Sequence, residues 1–214
     1  MRRQPRLMTR YTLRYAQKSV SPVSLIVSAF APVEDVRLQL TPLLAREEDS
    51  ELWLIGLGGG KRRLGGSILS QVHGTFGGEP PDLDSPELLR GLFNLVRDAR
   101  DTGIVLGCHD RSDGGAFAAL CEMGFASRCG LEIQLDHWGD DPFSTLFCEE
   151  LGVIVQVSMD DRAEFADLVD RHGLTHCAQR IGKPILKLQD QDYVHNGLSE
   201  LIAEYANAYT LNLK

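Results

Sequence analysis

Apolar residues recur in two patterns along the chain: short runs, and longer stripes with helical spacing. Residues 52–57 (LWLIGL) and 152–157 (GVIVQV) are nearly all apolar, which is typical of strands buried on both faces. Residues 22–30 (PVSLIVSAF) fit the same pattern, and residues 36–40 (VRLQL) alternate as a half-buried strand does. The other predicted strands are short and cover residues 103–106, 131–135, 179–181 and 185–188.

Helical stripes separate most of these runs, and the best-marked stripe begins at Pro86. Ser85 is a typical N-cap residue, Pro86 suits the first helical position, Glu87 lies in the first turn, and Gly103 ends the pattern. The stripe predicts a buried face made of Leu88, Leu89, Leu92, Phe93, Leu95 and Val96. The other predicted helices are residues 67–72, 116–126, 142–150, 161–172 and 198–211.

The order of these elements predicts the fold class. Only strands are predicted before residue 60, and strands alternate with helices after it. This order predicts an α/β (α+β layered) domain, with a mixed sheet and helices packed on it.

Charge and hydrophobicity argue against two classes of protein, non-specific nucleic-acid-binding proteins and membrane-spanning proteins. The net charge is −8, and residues 1–20 carry six Arg or Lys and no acid, so the remainder stands at −14 from 16 basic and 30 acidic side chains. An acidic body argues against non-specific nucleic-acid binding. No apolar run approaches the roughly 18 residues of a membrane span. Five cysteines without CxxC spacing favour a reducing, cytoplasmic setting.

Residues 107–115 (GCHDRSDGG) carry the candidate chemistry, because they join a predicted strand to a predicted helix. Backbone N–H groups and the helix dipole favour an anion there, and the two final glycines allow close approach of a ligand. Asp110, Ser112 and Asp113 supply oxygens that suit Mg²⁺ beside a phosphate. Alternatively, Ser112 or Asp113 is simply the N-cap and the glycines belong to the turn.

Other conspicuous residues have simpler interpretations. The glycine cluster at residues 56–66 lacks a Walker A or GxGxxG pattern, and is either a ligand loop, lined by residues 58–60, or a flexible exposed loop. Cys121 falls on a predicted core stripe with Phe117, Leu120 and Phe125. Glu149 and Glu150 are adjacent at a predicted helix end, which favours a solvated or interface role. Five histidines lack ligand-like spacing and are interpreted as structural or exposed: His73, His137, His172, His176 and His195.

The segment HDRSDGG, residues 109–115, resembles the signature of phosphoribosylformylglycinamidine synthase, the large amidotransferase of purine biosynthesis. Shorter matches to the same family lie on both sides, and the resemblance covers about residues 21–183. These matches are SPVSLIVSAFA (21–31), VEDVR (33–37), LGGS (64–67), PPDL (80–83), CEM (121–123), CGL (129–131) and EELG (149–152).

The resemblance implies a fold and a reaction. The chain is similar to the C-terminal part of the family's second aminoimidazole-ribotide-synthetase-like unit, a layered α/β module with partial ferredoxin-like topology. The family is an ATP-dependent C–N ligase of the glutamine amidotransferase type. It uses ATP, Mg²⁺, glutamine and water to convert formylglycinamide ribonucleotide into the amidine.

The resemblance also implies roles for the loop residues. Asp110 corresponds to a Mg²⁺ ligand and Ser112 to a nucleotide contact. Asp113, Gly114 and Gly115 complete the expected nucleotide-binding segment, and His109 is expected either to bind substrate or to lock the loop. No catalytic residue is implied, and which of the family's two nucleotide sites this loop serves stays open.

The resemblance is incomplete in three respects. No glutaminase signature is present, and the family's other nucleotide and metal residues lie in domains that this sequence lacks. Residues 1–20 and roughly 185–214 also match the family's continuation poorly. Residues 21–184 are therefore expected to form the synthetase-like domain, after a basic linker or remnant (or a targeting segment) at 1–20 and before a divergent, partly helical tail at 185–214.

These departures set the expected partners and activity. The expected partners are the missing synthetase and glutaminase domains and a ribonucleotide substrate, with no nucleic acid and no membrane. The chain alone is expected to be inactive. The alternative is a non-catalytic module that holds a structural nucleotide or forms an interface; a free-standing relative is disfavoured.

Overall fold

Two sheets are present among the described residues of the computed structural model. It describes residues 9–12, 18–21, 27–28, 30, 32, 35–75, 77–135 and 141–186. The chain divides into two compact units, Met1–Val36 and Arg37–Lys214. In the first unit, strand β1 (Thr9–Thr12) pairs antiparallel with β2 (Lys18–Ser21).

The second unit is built on a five-stranded sheet with the order β4-β6-β3-β7-β5. The layered class is confirmed; whereas the pattern predicts a mixed sheet, all four strand pairings are antiparallel. The strands are β3 (Ser50–Gly56), β4 (Val105–Asp110), β5 (Gly130–Ile133), β6 (Gly152–Ser158) and β7 (Ala178–Ile185).

Five α-helices accompany this sheet in the described part of the chain, together with a 3₁₀ turn at Val36–Leu38. The longest helix has the predicted boundaries, since the Ser85 hydroxyl caps the Leu88 N–H and Gly103 is left-handed at the C-cap. The helices are α1 (Ile68–Val72), α2 (Pro86–Thr102), α3 (Gly115–Ser127), α4 (Pro142–Phe147) and α5 (Arg162–Arg171).

The central strand β3 contributes side chains to two hydrophobic cores, one on each face of the sheet. Leu52 and Leu54 join a cluster with apolar residues of α3 and α4, whereas Ile55 joins one with α2 and α5. Alternation along a strand sends successive side chains to opposite faces, so an all-apolar strand needs helices on both faces. Trp53 packs edge-on against Phe165 of α5, with ring centroids 5.6 Å apart.

A segment before β3 covers the outer edge of β4. The Cys108 N–H donates to the Thr41 carbonyl, 2.9 Å away. The Leu44 N–H donates to the Ser127 hydroxyl, and the buried Gln156 amide exchanges hydrogen bonds with both backbone groups of Ala45. This segment therefore closes an edge that would otherwise expose unpaired backbone.

Several predicted elements are confirmed near their expected bounds: β3, β5, β6, α1, α2, α3 and α5. The strand predicted at 36–40 is wrong, because the 3₁₀ turn occupies it and Val36 is 69 % exposed. An alternating pattern of five residues cannot form a strand unless another strand pairs with it. Of the strand predicted at 22–30, the described residues Val27, Ser28 and Phe30 lie outside any strand and are exposed.

Two other predictions differ from the structure in their boundaries, for identifiable reasons. Helix α4 ends at Phe147 rather than 150, because Cys148 is extended and the two glutamates after it bond elsewhere. The two strands predicted at 179–181 and 185–188 are one strand, β7, up to Ile185. Gly182 permits this continuity, since a Cβ there would lie 2.0 Å from the Glu132 carbonyl oxygen. Residues 187–188 and the helix predicted at 198–211 lie outside the described residues.

Two aromatic residues assigned to the core are instead on the surface. Phe93 on α2 is 70 % exposed and Phe125 on α3 is 77 % exposed. The predicted buried faces of both helices are too wide, since a helix buries about a third of its circumference against one neighbouring layer. Within the described ranges, no helix combines the length and hydrophobicity needed to cross a membrane.

We expect Leu95→Ala to lower the free energy of unfolding by about 2–5 kcal/mol, because Leu95 is 1 % exposed and its truncation leaves a cavity. Phe93→Ala, on the same helix, is the matched control and should change it by less than about 1 kcal/mol. Urea unfolding followed by circular dichroism measures both. Equal losses would contradict the assigned helix face.

Candidate functional site

Much of the 107–115 segment, which carries the candidate chemistry, belongs to a strand and not to a loop. Strand β4 extends to Asp110, so the strand predicted at 103–106 is shifted and its end misplaced. Pairing of Asp110 with Val153 on β6 outweighs the low strand propensity of Gly, His and Asp. The Arg111 N–H then donates to the Gly152 carbonyl, 2.8 Å away. Only residues 111–114 connect β4 to α3.

Exposed polar side chains stand on both sides of one buried side chain where β4 meets this connection. The Asp110 side chain is 75 % exposed, and Ser112 and Asp113 are also exposed. Between them Arg111 is buried, and its guanidinium donates to the carbonyls of Glu150 and Leu151. Burial lowers the pKa of Arg111. The arginine anchors the loop from beneath, and the acidic and hydroxyl groups point outward.

The start of α3 is held by a carboxylate from elsewhere in the chain. Gly114 is the N-cap and Gly115 the first helical residue, both with left-handed φ angles, 82° and 70°. The Gly114 N–H donates to Glu149 Oε1 at 2.9 Å, and the Gly115 N–H to the Ser112 carbonyl at 3.0 Å. Two of the amides that the sequence makes available to an anion therefore already donate within the protein. Neither Ser112 nor Asp113 is the N-cap.

Glu149 binds two helix starts at once. Its Oε1 also accepts the Ile68 N–H, 2.8 Å away, at the first residue of α1. A negative charge at a helix N-terminus is favourable because orphan N–H groups and the macrodipole meet there. Glu149 thus ties the N-terminal ends of α1 and α3 together.

Glu150 lies beside it but faces the interior, so a solvated role for Glu150 is wrong. It is 1 % exposed, and its two oxygens each accept from the Arg63 guanidinium at 2.7 Å. Arg63 also bonds Asp84 at 2.9 Å. The Glu150 carboxylate raises the pKa of Arg63, and the bond from Lys61 leads the effects that lower the pKa of Asp84. Adjacent residues outside a helix can point to unrelated partners, and here both are structural.

The glycine-rich segment at residues 56–66 packs over this ion pair. A Cβ at Gly58 would lie 3.0 Å from the side chain of Glu150, so only glycine fits there without displacement. Gly59 and Gly60 have left-handed φ angles and open space around them. The glycines therefore serve close packing at one position and a turn at the next two.

His109 contacts two carboxylates. Its Nε2 is 2.7 Å from Glu122 Oε2 and its Nδ1 is 3.3 Å from Asp110 Oδ1. The ring is 12 % exposed, whereas the Asp110 and Glu122 side chains are 75 % and 62 % exposed. Sequence reasoning missed Glu122 and underrated Glu149. Both stand inside segments that match the family, CEM and EELG, which was the available signal.

The remaining candidates have structural explanations. Of the histidines without ligand spacing, His172 bonds Asp98 at 2.9 Å across α2 and α5, and His137 and His195 lie outside the described residues. All five cysteines are free thiols, and burial raises the pKa of each. In the ranges that the structure describes, no group of three His, Cys, Asp or Glu side chains could hold a metal ion.

Comparison with known proteins assigns the chain that forms this site to a family. The sequence model described as "AIR synthase related protein, C-terminal domain" matches residues 49–185, which include β4, α3 and their connection. This chain belongs to the AIR synthase related family. It is 42 % identical to phosphoribosylformylglycinamidine synthase of Schizosaccharomyces pombe over 171 residues, which are 78 % of this chain and 13 % of that enzyme.

Solved structures show the same fold. The Thermotoga maritima structure titled PurL complexed with ATP superposes with a TM-score of 0.54 at 16 % identity, covering 71 % of this chain and 24 % of that one. The T. maritima structure titled PurLQS gives a TM-score of 0.53 at 15 % identity, with 70 % and 24 % coverage. This AIR synthase related domain thus spans a small fraction of the curated relative it matches.

Gly115→Ala should cost about 3 kcal/mol of unfolding free energy. A Cβ there would lie 2.6 Å from the Leu146 carbonyl oxygen, and its φ of 70° adds strain of about 1–2 kcal/mol. Gly59→Ala is the control, because it has a similar φ but open space, and should cost about 1 kcal/mol. Chemical denaturation measures the difference, and equal costs would show that α3 and α4 can separate.

Cys108 should react slowly with iodoacetamide in the folded protein. Burial, with Asp110 nearby, raises the pKa of its thiol to about 11, so roughly 0.1 % is thiolate at pH 8, against about a quarter of an ordinary thiol. Peptide mass spectrometry after timed alkylation measures the rate, and the urea-unfolded chain is the control. A folded-state rate equal to the unfolded one would disprove the burial effect.

Proposed function

We propose that this chain is a nucleotide-binding module of a phosphoribosylformylglycinamidine synthase. In that assembly, ATP and glutamine would convert formylglycinamide ribonucleotide into formylglycinamidine ribonucleotide. One observation carries the proposal: the family match includes the β4–α3 connection, where Asp110 and Ser112 are exposed while Arg111 and the Gly114 and Gly115 amides bond inward.

Asp110 is the proposed Mg²⁺ ligand. Its exposed carboxylate fits a hard cation, which often takes one or two protein carboxylates and fills its other positions with phosphate oxygens and water. When bound, Mg²⁺ would neutralise charge on the nucleotide phosphates. A single carboxylate ligand from this chain is compatible with a site whose other ligands come from outside it.

Ser112 is the proposed phosphate contact, through its exposed hydroxyl. Asp113 lies beside it and is also exposed, whereas Gly114 and Gly115 shape the turn rather than supply free amides. Contact with an anion would then depend on the hydroxyl and the cation more than on the helix N-terminus.

The partners proposed for this module are the remaining synthetase domains and a glutaminase domain, with a ribonucleotide as substrate. Burial raises the pKa of each of the five cysteine thiols, which disfavours the thiolate that a glutaminase nucleophile needs. The module alone should not complete the reaction.

A second candidate is a structural nucleotide site that binds but does not turn over. One observation favours it: the loop is braced from three directions, by Arg111, by Glu149 and by the close contact at Gly115. A rigid loop suits a nucleotide held permanently.

The test is a chimeric enzyme in which residues 49–185 of this chain replace the matching segment of the S. pombe relative. We expect the chimera to form the amidine with ATP and to retain bound nucleotide through purification. Asp110→Ala should lower nucleotide retention at least tenfold, because one metal ligand is lost. Glu164→Ala is the control, as an exposed glutamate on α5.

Two readouts separate the candidates. Exchange of bound nucleotide with radiolabelled ATP during turnover supports the catalytic site. Nucleotide that stays unexchanged while amidine forms supports the structural site. A chimera that folds, and in which Asp110→Ala and Ser112→Ala leave both nucleotide retention and activity unchanged, would refute both.

A further inference from the structure

Helix α3 begins differently from α1, α2 and α4. In those three helices the N-cap residue, Ser67, Ser85 or Asp141, accepts a backbone N–H through its own side chain. Gly114, the N-cap of α3, has no side chain, and Glu149 supplies the acceptor from 35 residues away in sequence. The start of α3 is therefore capped by another segment of the chain.

The β4–α3 connection itself contains a side chain that could accept the same N–H. A serine hydroxyl commonly accepts the backbone N–H two residues further on, which forms an ST-turn. Two residues after Ser112 is Gly114, whose N–H instead donates to Glu149 Oε1 at 2.9 Å. In the same way the usual donor for Asp113 is the Gly115 N–H, which donates to the Ser112 carbonyl at 3.0 Å. Both side chains thus find their local donors already bonded.

This arrangement leaves two polar side chains available to a ligand. Ser112 and Asp113 are exposed, and within the described ranges neither side chain forms a hydrogen bond. Glu149 prevails over the Ser112 hydroxyl because a carboxylate is the stronger acceptor and because negative charge is favourable at a helix N-terminus. The hydroxyl keeps its donor and its acceptor capacity for a group outside this part of the chain.

We infer that Glu149 is the positioning residue of the proposed nucleotide site: by accepting the Gly114 N–H, it keeps the Ser112 hydroxyl free to contact a phosphate. The inference deepens the proposed function and rests on its assignment of Ser112. In this role Glu149 does not touch the nucleotide and acts through the backbone of the β4–α3 connection. Without Glu149, the Ser112 hydroxyl turns to the Gly114 N–H, and this bond competes with phosphate.

The first experiment is a double-mutant cycle of Glu149→Ala and Ser112→Ala in the full chain, followed by urea unfolding. Ser112→Ala alone should leave the urea midpoint unchanged, because the hydroxyl makes no internal bond. In the Glu149→Ala background the same change should lower the midpoint, because Ser112 then caps the Gly114 N–H. Glu149→Asp, whose carboxylate reaches one methylene less far, takes the place of Glu149→Ala if the alanine variant does not fold.

The second experiment measures nucleotide retention in the chimeric enzyme described above. Glu149→Ala should lower retention about fivefold, the effect of one competing hydrogen bond. Glu149→Gln, whose amide oxygen still accepts the Gly114 N–H, should restore most of it. In the Ser112→Ala background, Glu149→Ala should lower retention no further. Ser85→Ala is the matched control, because it removes the cap of α2 and should lower the urea midpoint without changing retention.

The outcomes separate this inference from the proposed function. If Ser112→Ala leaves nucleotide retention unchanged, the phosphate contact of Ser112 is wrong, and the inference fails with it. If Ser112→Ala lowers retention but Glu149→Ala has the same effect with and without Ser112, Glu149 only supports the fold, and the inference alone is wrong. An equal effect of Ser112→Ala on the urea midpoint in both backgrounds also overturns the inference, and that measurement needs no nucleotide.

Discussion

Two adjacent glutamates hold the candidate site in place. Glu149 accepts N–H groups at the starts of α1 and α3, and Glu150 forms the buried pair with Arg63. The carbonyls of Glu150 and Leu151 receive the Arg111 guanidinium. One short connection after α4 thus fixes the glycine-rich segment, the β4–α3 loop and two helix termini. A buried ion pair adds little stability by itself, but losing one partner leaves an uncompensated charge, so the geometry is strongly constrained.

This constraint explains why glycine recurs around the site. Gly58 lies against the Glu150 side chain, and Gly115 against the carbonyls at the end of α4. At both positions the absence of a Cβ lets two segments of the chain pack closely. This close packing accounts for the two glycines without any contact to a ligand. The polar side chains that remain exposed around this packed backbone are chiefly those of Asp110 and Ser112.

Local signals in the sequence predict helix α2 and the central strand β3 well. Ser85, Pro86 and Gly103 act within one turn of chain, and the nearly all-apolar composition of β3 indicates that it is buried. The end of β4 could not be predicted locally, since His109 and Asp110 are in a strand only through pairing with β6. The same holds for the site. The signature predicts roles for Asp110 and Ser112, whereas Glu122 and Glu149 act through contacts 13 and 35 residues away in sequence.

Distance along the sequence also bears on how the site forms during synthesis. The Gln156 amide that holds Ala45 is 111 residues from it, and the Arg63–Glu150 pair joins residues 87 apart. Contacts of such long range close late and slow folding. A nascent chain that has emerged only as far as α3 contains every residue of the 107–115 segment, yet it lacks Glu149, the Glu150 and Leu151 carbonyls and strand β6, which hold that segment in the folded protein. The segment must therefore acquire its geometry after β6 has left the ribosome, when the later strands are inserted between the earlier ones.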